Sequence, residues 1–223
     1  MSTVLIIGAS RGLGLEFARQ YVEAGDRVLA TARDAAGRER LQALGVENVL
    51  TVDVADPASV SGLAWMLDGE KIDTAIYVAG VMDRGNALSP PTREQFDRVM
   101  HTNVLGAMQA IPQVAPLVEA AHGRFAFISS DLGRIGGVES SHTWLYRVSK
   151  SALNMAVASA QHDYPMATLV AFHPGWVQTD MGGAQAPLTA PESVASMRAT
   201  LARLTPAQRG QFLQRDGTPC ASW

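Results

Sequence analysis

The stretch "TVLIIGASRGLG", residues 3–14, joins an apolar run to a cluster of three glycines. A short apolar, β-branched run bounded by glycine predicts a buried strand. Residues 13–24 carry the helical period, so the glycines lie in the turn between a strand and a helix. Glycine permits that tight turn and lets backbone N–H groups approach a phosphate, which the start of a helix also attracts. The stretch therefore predicts a phosphate-binding loop at the edge of a sheet.

Alternating strands and helices continue along the whole chain. The further predicted strands are "RVLATAR" (27–33), "ENVLTVDV" (47–54), "IDTAIYVAG" (72–80), "RFAFISS" (124–130), "ATLVAFHPG" (167–175) and "QFLQRDG" (211–217). The predicted helices are 13–24, 36–44, 57–69, 93–120, 143–162 and one that starts near residue 190. Strands that are apolar throughout and separated by helices indicate a parallel sheet covered on both faces. We expect one α/β domain, residues 1–223, built on a doubly wound parallel sheet of about seven strands.

Two of these helices carry more detailed expectations. Pro112 and Pro116 lie inside the segment 93–120 and are expected to kink or divide it, because proline cannot donate to the helical ladder. Trp65 and Met66 lie at helical spacing in the segment 57–69, and we expect both in the core.

Composition excludes several classes of partner. Of the 223 residues 47% are hydrophobic and 17% charged, and the net charge of −3 argues against nucleic acid. No apolar stretch approaches 18 residues, and the first residues lack a basic segment, so neither a membrane span nor a signal peptide is expected. The single cysteine excludes an internal disulfide, and the five histidines show no paired ligand spacing. We expect a cytoplasmic protein that holds no metal.

A second informative stretch is "YRVSK", residues 146–150. On a helix Tyr146 and Lys150 share one face, about 6 Å apart along the axis. A tyrosine transfers protons when its pKa falls toward the working pH, and a nearby ammonium lowers that pKa. Ser129 and Ser130 end a predicted strand upstream, and side chains alternate along a strand, so only one of them can face the same site. By itself the stretch can therefore form either a surface pair or a proton-transfer site.

Together these motifs resemble the short-chain dehydrogenase/reductase family along nearly the whole chain. The glycine spacing is G-x-x-x-G-x-G, as in that family. The matching motifs that follow in order are Asp53 in "VDV", "YVAG" at 77–80, Asn103 in "TNVLG", Ser130 in "FISS", Tyr146 with Lys150, and "PGWVQT" at 174–179. Tyr77 and Val78 stand where the family has an asparagine pair that ties neighbouring strands together. The resemblance implies a Rossmann-type fold and hydride transfer between a nicotinamide cofactor and a carbonyl or alcohol.

The resemblance also implies the catalytic roles. Tyr146 is the acid/base, and Lys150 tunes it and holds the nicotinamide ribose. Ser130 hydrogen-bonds the substrate oxygen, and Asn103 positions a water that links Lys150 to solvent. If Ser130 does not face the site, the serine that takes this role is Ser129, Ser140 or Ser141. Trp176 borders the expected substrate cleft and joins Ser130 and Tyr146 as a substrate contact.

The expected cofactor is NADP(H), with NAD(H) possible. The residues expected to bind it are Gly8, Ser10, Arg11, Gly12, Leu13, Gly14, Arg33, Asp53, Val54, Ala79, Gly80, Tyr146, Lys150, Pro174, Gly175, Val177 and Thr179. An NAD enzyme of this architecture ends its second strand with an acid, where this chain has Ala32. Arg33 and Arg11 favour a 2′-phosphate instead. If the alignment of this strand end with the family differs by a residue or two, Asp34 takes the place of the acid.

The short segment between Thr179 and the last helix resembles the C-factor and sniffer-like carbonyl reductase branch. It implies a short substrate lid around 180–191 and an open cleft. The resemblance therefore predicts an NADPH-dependent carbonyl reductase acting on a small carbonyl or alcohol. The alternative is a cofactor-binding signalling or redox-sensing protein in which catalysis is incidental. Family members pair through two long helices, 93–120 and 143–162 in this chain, so we expect a homodimer or homotetramer.

Overall fold

A computed structural model of the chain describes residues 1–221 and 223. Its strands are β1 (Thr3–Ile7), β2 (Arg27–Ala32), β3 (Asn48–Thr51), β4 (Thr74–Tyr77), β5 (Arg124–Ile128), β6 (Thr168–His173) and β7 (Phe212–Gln214). They form one parallel sheet in the order β3-β2-β1-β4-β5-β6-β7. The strand order reverses between β1 and β4, and ligands of such sheets bind in the crevice outside the carboxyl ends at this point. The predicted seven-stranded α/β fold is confirmed.

Helices cover both faces of the sheet. They are α1 (Gly12–Glu23), α2 (Ala35–Ala43), α3 (Pro57–Ser61), α4 (Leu63–Met66), α5 (Arg93–Met100), α6 (Gly106–Glu119), α7 (Trp144–Ala160) and α8 (Ala190–Arg203). One apolar core lies between the sheet and α1, α2 and α8, and a second lies between the sheet and α3, α4, α6 and α7. Among the residues described, no helix is long and apolar enough to cross a membrane.

The predicted helix 93–120 is divided, but not at its prolines. A π-helical turn over 101–105 separates α5 from α6, whereas Pro112 and Pro116 lie inside α6. A side chain contacts the backbone at this turn, since the Tyr77 hydroxyl donates to the Thr102 carbonyl at 2.8 Å. Side-chain insertions of this kind change the local helical ladder. The prolines therefore do not divide the helix, which changes instead at the turn that Tyr77 contacts, and a kink at either proline stays a prediction.

The predicted helix 57–69 is also shorter than expected. It breaks at Gly62 into α3 and α4, and α4 buries Leu63 while Leu67 follows it into the core. This leaves Trp65 on the outer face, where it is 81% exposed. Met66 packs against the core as expected. The placement of Trp65 in the core was wrong, because a single turn of helix has only one narrow buried face.

Candidate active site

A cleft of about 620 Å³ opens at the carboxyl ends of the strands. It is lined by these predicted site residues: Gly8, Ser10, Arg11, Gly12, Leu13, Arg33, Asp53, Val54, Ala79, Gly80, Ser130, Tyr146, Lys150, Pro174, Gly175, Trp176, Val177 and Thr179. The two remaining predicted residues, Gly14 and Asn103, are buried behind the wall of the cleft. Residues from the ends of six strands and from two helices thus meet in one cleft, although their roles stay predictions.

The glycine loop leaves the start of α1 open to the cleft. Arg11 is the N-cap residue of α1, and the described part of the chain provides no side-chain cap there. The first N–H groups of the helix are therefore available to an anion. Gly14 serves packing instead, because a Cβ atom at this position would lie 2.2 Å from the Gly8 carbonyl oxygen. The loop can approach the sheet only with glycine at position 14.

The end of β2 carries no free acid. Ala32 is buried, and the Asp34 carboxylate accepts the Gly37 N–H at 2.7 Å as the N-cap of α2. The Asp34 carboxylate, which the alternative alignment would place at the ribose, is therefore engaged as a helix cap. Arg33 is exposed and lines the cleft at this point. The local charge is positive where an adenosine ribose would be recognised in this architecture.

The buried face of α7 carries Tyr146 and Lys150, which are 5% and 3% exposed. The Lys150 ammonium donates to the Ile128 carbonyl at 2.8 Å, and Nζ lies 5.5 Å from the centroid of the Tyr146 ring. Burial lowers the pKa of Lys150 to about 8. Burial raises the pKa of Tyr146 to about 12, and hydrogen bonding with Ser130 opposes this rise. The structure holds Tyr146 as a neutral phenol, so the predicted lowering of its pKa by Lys150 stays a prediction.

The two serines at the end of β5 face opposite sides. Ser129 also contributes to the cleft lining, but it is buried and its hydroxyl donates to the Asn154 side-chain carbonyl at 2.6 Å. Ser130 lines the cleft and interacts with Tyr146. Ser140 and Ser141 are exposed and lie outside the cleft lining. Of the four serines, the structure therefore brings Ser130 next to Tyr146.

Asn103 lies in the π-helical turn and is completely buried. Its amide donates to the Val81 carbonyl at 2.8 Å and to the Ser149 hydroxyl at 2.9 Å, and its carbonyl accepts the Val81 N–H at 2.8 Å. Ser149 in turn donates to the Tyr146 carbonyl at 2.7 Å. Asn103 thus joins the segment after β4 to the turn of α7 that carries Tyr146. Its predicted contact with a water near Lys150 stays a prediction.

Known proteins share both sequence and fold with this chain. Residues 2–188 match the family model described as short chain dehydrogenase. The chain belongs to the short-chain dehydrogenase family. The 1-hydroxy-2-glutathionyl-2-methyl-3-butene dehydrogenase of Rhodococcus sp. (strain AD45) is 32% identical over 229 residues, which cover 98% of each chain.

Two solved structures resemble this short-chain dehydrogenase over its whole length. The carbonyl reductase Sniffer of D. melanogaster has a TM-score of 0.91 at 28% identity and covers 100% of both chains. The NADPH-bound carbonyl reductase from chicken fatty liver has a TM-score of 0.91 at 28% identity, covering 100% of this chain and 99% of the chicken chain. The predicted family and its sniffer-like branch are confirmed.

This short-chain dehydrogenase has a tyrosine hydrogen bond at the position where the family has an asparagine pair. The Tyr77 hydroxyl reaches from β4 to the Thr102 carbonyl of the π-helical turn. Gly106 makes room for the ring, because a Cβ atom there would lie 2.7 Å from the Tyr77 oxygen and 2.4 Å from the Val54 carbonyl oxygen. The substitution at Tyr77 is visible in the sequence, but this hydrogen bond is not. The contact partner lies 25 residues away, and no local pattern indicates it.

His173, which was not predicted as a site residue, lines the cleft at the end of β6. Its Nδ1 accepts the Asp131 N–H at 3.0 Å, and burial lowers the pKa of its imidazole. The sequence does place His173 directly before the "PGWVQT" motif, which begins at Pro174, and this position could have indicated a site residue. The described residues contain no group of three His, Cys, Asp or Glu side chains that could hold a metal ion.

Proposed function

We propose that this short-chain dehydrogenase is an NADPH-dependent carbonyl reductase that converts a small aldehyde, ketone or quinone to its alcohol, with Tyr146 as the acid. The observation that carries the proposal is the meeting of Ser130, Tyr146 and Lys150 in the cleft that the glycine loop also lines. Proton-transfer groups at one end and an anion-binding helix start at the other are what a nicotinamide-dependent reduction requires.

The cleft fits a dinucleotide. The uncapped start of α1 suits the pyrophosphate, and Asp53 after β3 suits the adenine. Lys150 suits the nicotinamide ribose at the opposite end. The segment that carries "PGWVQT" lines the wall beside it and suits the nicotinamide carboxamide and diphosphate. The NADPH-bound chicken reductase, which shares this fold, supports the same assignment.

The arginines near β2 favour NADPH over NADH. Arg33 is exposed at the cleft, and Arg11 pairs with Asp180 at 3.4 Å, both side chains being largely exposed. An exposed ion pair contributes about 0–1 kcal/mol, so Arg11 can turn to a phosphate at little cost. A hydrogen bond to a charged group contributes about 1.5–3 kcal/mol. We therefore expect Arg33→Ala to weaken NADPH binding by roughly tenfold or more and to leave NADH binding unchanged.

The equilibrium dissociation constants of both cofactors, measured by fluorescence titration with the wild type and Arg33→Ala, test this preference. Equal wild-type constants for NADPH and NADH would refute it. Equal losses for both cofactors in the variant would show that Arg33 does not contact the 2′-phosphate.

The residues of the cleft can carry the proton chemistry. NADPH supplies the hydride when it is bound. Ser130 donates a hydrogen bond to the substrate carbonyl oxygen and polarises the carbonyl bond. Tyr146 then gives its proton to that oxygen, and a phenol with a pKa of about 12 is a stronger acid than an aliphatic alcohol. Lys150, held by the Ile128 carbonyl, provides positive charge beside the tyrosinate that remains.

The high pKa of Tyr146 favours reduction over oxidation. The reverse reaction needs a tyrosinate to accept the alcohol proton, and burial disfavours that anion. We propose that the protein works as a reductase near neutral pH and that alcohol oxidation rises with pH.

NADPH consumption against a panel of aldehydes, ketones and quinones tests the function, with Tyr146→Phe beside the wild type. We expect wild-type turnover that falls at least about a hundredfold in the variant, because general acid catalysis contributes about that much or more. NADPH affinity should stay within about twofold, since the phenol ring remains and only its oxygen is lost. Turnover that survives in Tyr146→Phe would exclude Tyr146 as the acid. NADPH binding without any turnover would favour the signalling or redox-sensing function.

We propose that Trp176 forms part of the substrate wall under the short lid, residues 180–191. The Trp176 indole donates to the Gly182 carbonyl at 2.8 Å, which holds the ring at the mouth of the cleft while 56% of the residue stays exposed. Trp176→Ala should raise KM for an aromatic substrate more than it lowers kcat. An unchanged KM would remove Trp176 from the substrate site.

We also propose that the protein is a cytoplasmic single-domain homodimer or homotetramer that pairs through α5, α6 and α7. Apolar side chains are exposed on these helices, with Phe96 at 45%, Met108 at 53%, Val148 at 44% and Met155 at 66%. Exposed apolar side chains on these three helices support pairing through them, because apolar surface is stabilised by burial in an interface. Light scattering tests the assembly, and a monomer mass at micromolar concentration would exclude it.

A further inference from the structure

A histidine at the end of β6 supports the backbone beside Ser130. The sheet pairing of β5 and β6 ends with the Ser129 N–H, which donates to the Phe172 carbonyl at 2.8 Å. The next hydrogen bond between the end of β5 and β6 involves a side chain: the Asp131 N–H donates to Nδ1 of His173 at 3.0 Å. Asp131 directly follows Ser130 in the chain, so this bond holds the peptide that carries the Ser130 side chain.

Two further bonds of this turn lie within it. The Leu132 N–H donates to the Ser130 hydroxyl oxygen at 3.2 Å, and the Gly133 N–H donates to the Ser130 carbonyl at 2.9 Å. These two bonds shape the turn but do not fix its place relative to β6. The bond to His173 provides that connection.

We infer that His173 is a positioning residue that holds Ser130 in its place for carbonyl reduction, and that loss of its acceptor on protonation slows the reaction at low pH. This inference rests on the proposed reductase function. Nδ1 accepts a hydrogen bond only in the neutral imidazole, because both nitrogens of the imidazolium are donors. In the neutral ring the proton is therefore on Nε2. A protonated ring would place a second donor against the Asp131 N–H and break this hydrogen bond between the turn and β6.

Three charged groups from two segments, the turn after β5 and the end of β7, act on His173. Burial lowers the pKa of the imidazole below its ordinary value of 6.5, and Arg215 and Arg134 act in the same direction, while the Asp131 carboxylate opposes them. The ring is therefore neutral at pH 7, and protons bind to it as the pH falls below 6.5. Activity should accordingly be constant near neutral pH and fall on the acid side.

Neither proton-transfer residue, Tyr146 or Lys150, accounts for this fall in activity at low pH, the acid limb of the pH profile. The pKa of Tyr146 is raised to about 12 and that of Lys150 lowered only to about 8, so both stay protonated as the pH falls from 7 to 5. A loss of activity in that interval points to a different group, and His173 is the buried imidazole that contacts the turn of Ser130.

Two substitutions separate positioning from a merely structural role. His173→Asn carries an amide oxygen near the place of Nδ1, so it can accept the Asp131 N–H but cannot titrate. His173→Leu fills similar space and accepts nothing. We expect the asparagine variant to keep kcat within about threefold at pH 7.5 and to lose the acid limb. The leucine variant should show a kcat that does not change with pH on the acid side and lies about tenfold or more below the wild-type value at pH 7.5, with NADPH affinity unchanged, because a misplaced catalytic group is costly.

The measurements are kcat and KM from pH 5 to 9, NADPH affinity by fluorescence titration, and folding by thermal unfolding. An acid limb that persists in His173→Asn with an unchanged midpoint would overturn the proposal. Wild-type kcat in His173→Leu would overturn it as well, because the acceptor would then be dispensable.

NMR provides an independent readout on the wild-type protein. The Asp131 amide proton and the His173 ring protons should titrate with one midpoint, and this midpoint should match the acid limb of kcat. An Asp131 amide that does not respond to His173 would overturn the proposal even if a variant failed to fold. A wild type without reductase activity would instead refute the proposed function and this inference with it, while the NMR titration would still show whether the hydrogen bond exists.

Discussion

Replacing Lys150 with methionine should stabilise the fold without cofactor at neutral pH while abolishing turnover. Burial lowers the pKa of Lys150 from its ordinary value of 10.5 to about 8. Since each pKa unit corresponds to about 1.4 kcal/mol, the buried ammonium costs about 3 kcal/mol of folding free energy at pH 7. Methionine avoids this cost but leaves the Ile128 carbonyl without its donor, which costs about 1–3 kcal/mol. The variant should therefore be about 1 kcal/mol more stable than the wild type.

The pH dependence has a definite sign. In the unfolded chain Lys150 keeps its proton up to about pH 10.4, whereas in the folded protein it loses it near pH 8. Between these values the unfolded state binds more protons, so wild-type stability rises with pH relative to the variant. From pH 7 to pH 10 the difference in unfolding free energy should move by about 2–3 kcal/mol, and the variant should become the less stable of the two.

Urea unfolding at pH 7, 8, 9 and 10, followed by circular dichroism, measures this difference directly. Lys71 provides the matched control, because it is the only other lysine of the chain and is exposed. Lys71→Met should differ from the wild type by less than about 0.5 kcal/mol at every pH. If Lys150→Met is less stable than the wild type by the same amount at all four pH values, the buried ammonium does not carry the assigned cost and the reasoning fails.

Two further predictions concern packing and the serine pair. Gly14→Ala should lower NADPH affinity at least about tenfold, because its Cβ atom would lie 2.2 Å from the Gly8 carbonyl oxygen and displace the loop. Gly25→Ala is the control, because a Cβ atom there meets nothing within 4 Å and only the positive φ of 78° is unfavourable. It should lower stability by about 1–2 kcal/mol and leave NADPH affinity unchanged. Equal affinities of the two variants, measured by fluorescence titration, would contradict this. Ser130→Ala should lower kcat about a hundredfold with little loss of stability, whereas Ser129→Ala removes a buried hydrogen bond and should cost about 1–3 kcal/mol with kcat nearly unchanged. Steady-state kinetics measure kcat, and urea unfolding measures the stability, of both variants. A loss of kcat in Ser129→Ala alone would show that Ser129, and not Ser130, contacts the substrate.

The order of strands and helices and the residue types of the site follow from the sequence alone. Apolar runs alternating with helical periods predict a covered parallel sheet because burial on both faces demands them. The glycine loop was predictable because backbone conformation and close approach require glycine at defined spacing. Tyr146 and Lys150 were predictable because four residues on a helix place two side chains on one face. All of these are local properties, which the chain expresses within a few residues.

Which of these groups are free to act depends on contacts that form when the chain has folded. Asp34 is engaged as a helix cap, and Ser130 rather than Ser129 faces Tyr146. The bond from Asp131 to His173 joins residues 42 positions apart. Burial also decides the pKa directions of Tyr146 and Lys150, and these directions set the protonation of the site. Such properties depend on desolvation and on contacts between distant segments, which exist only after the sheet and its helices have packed together.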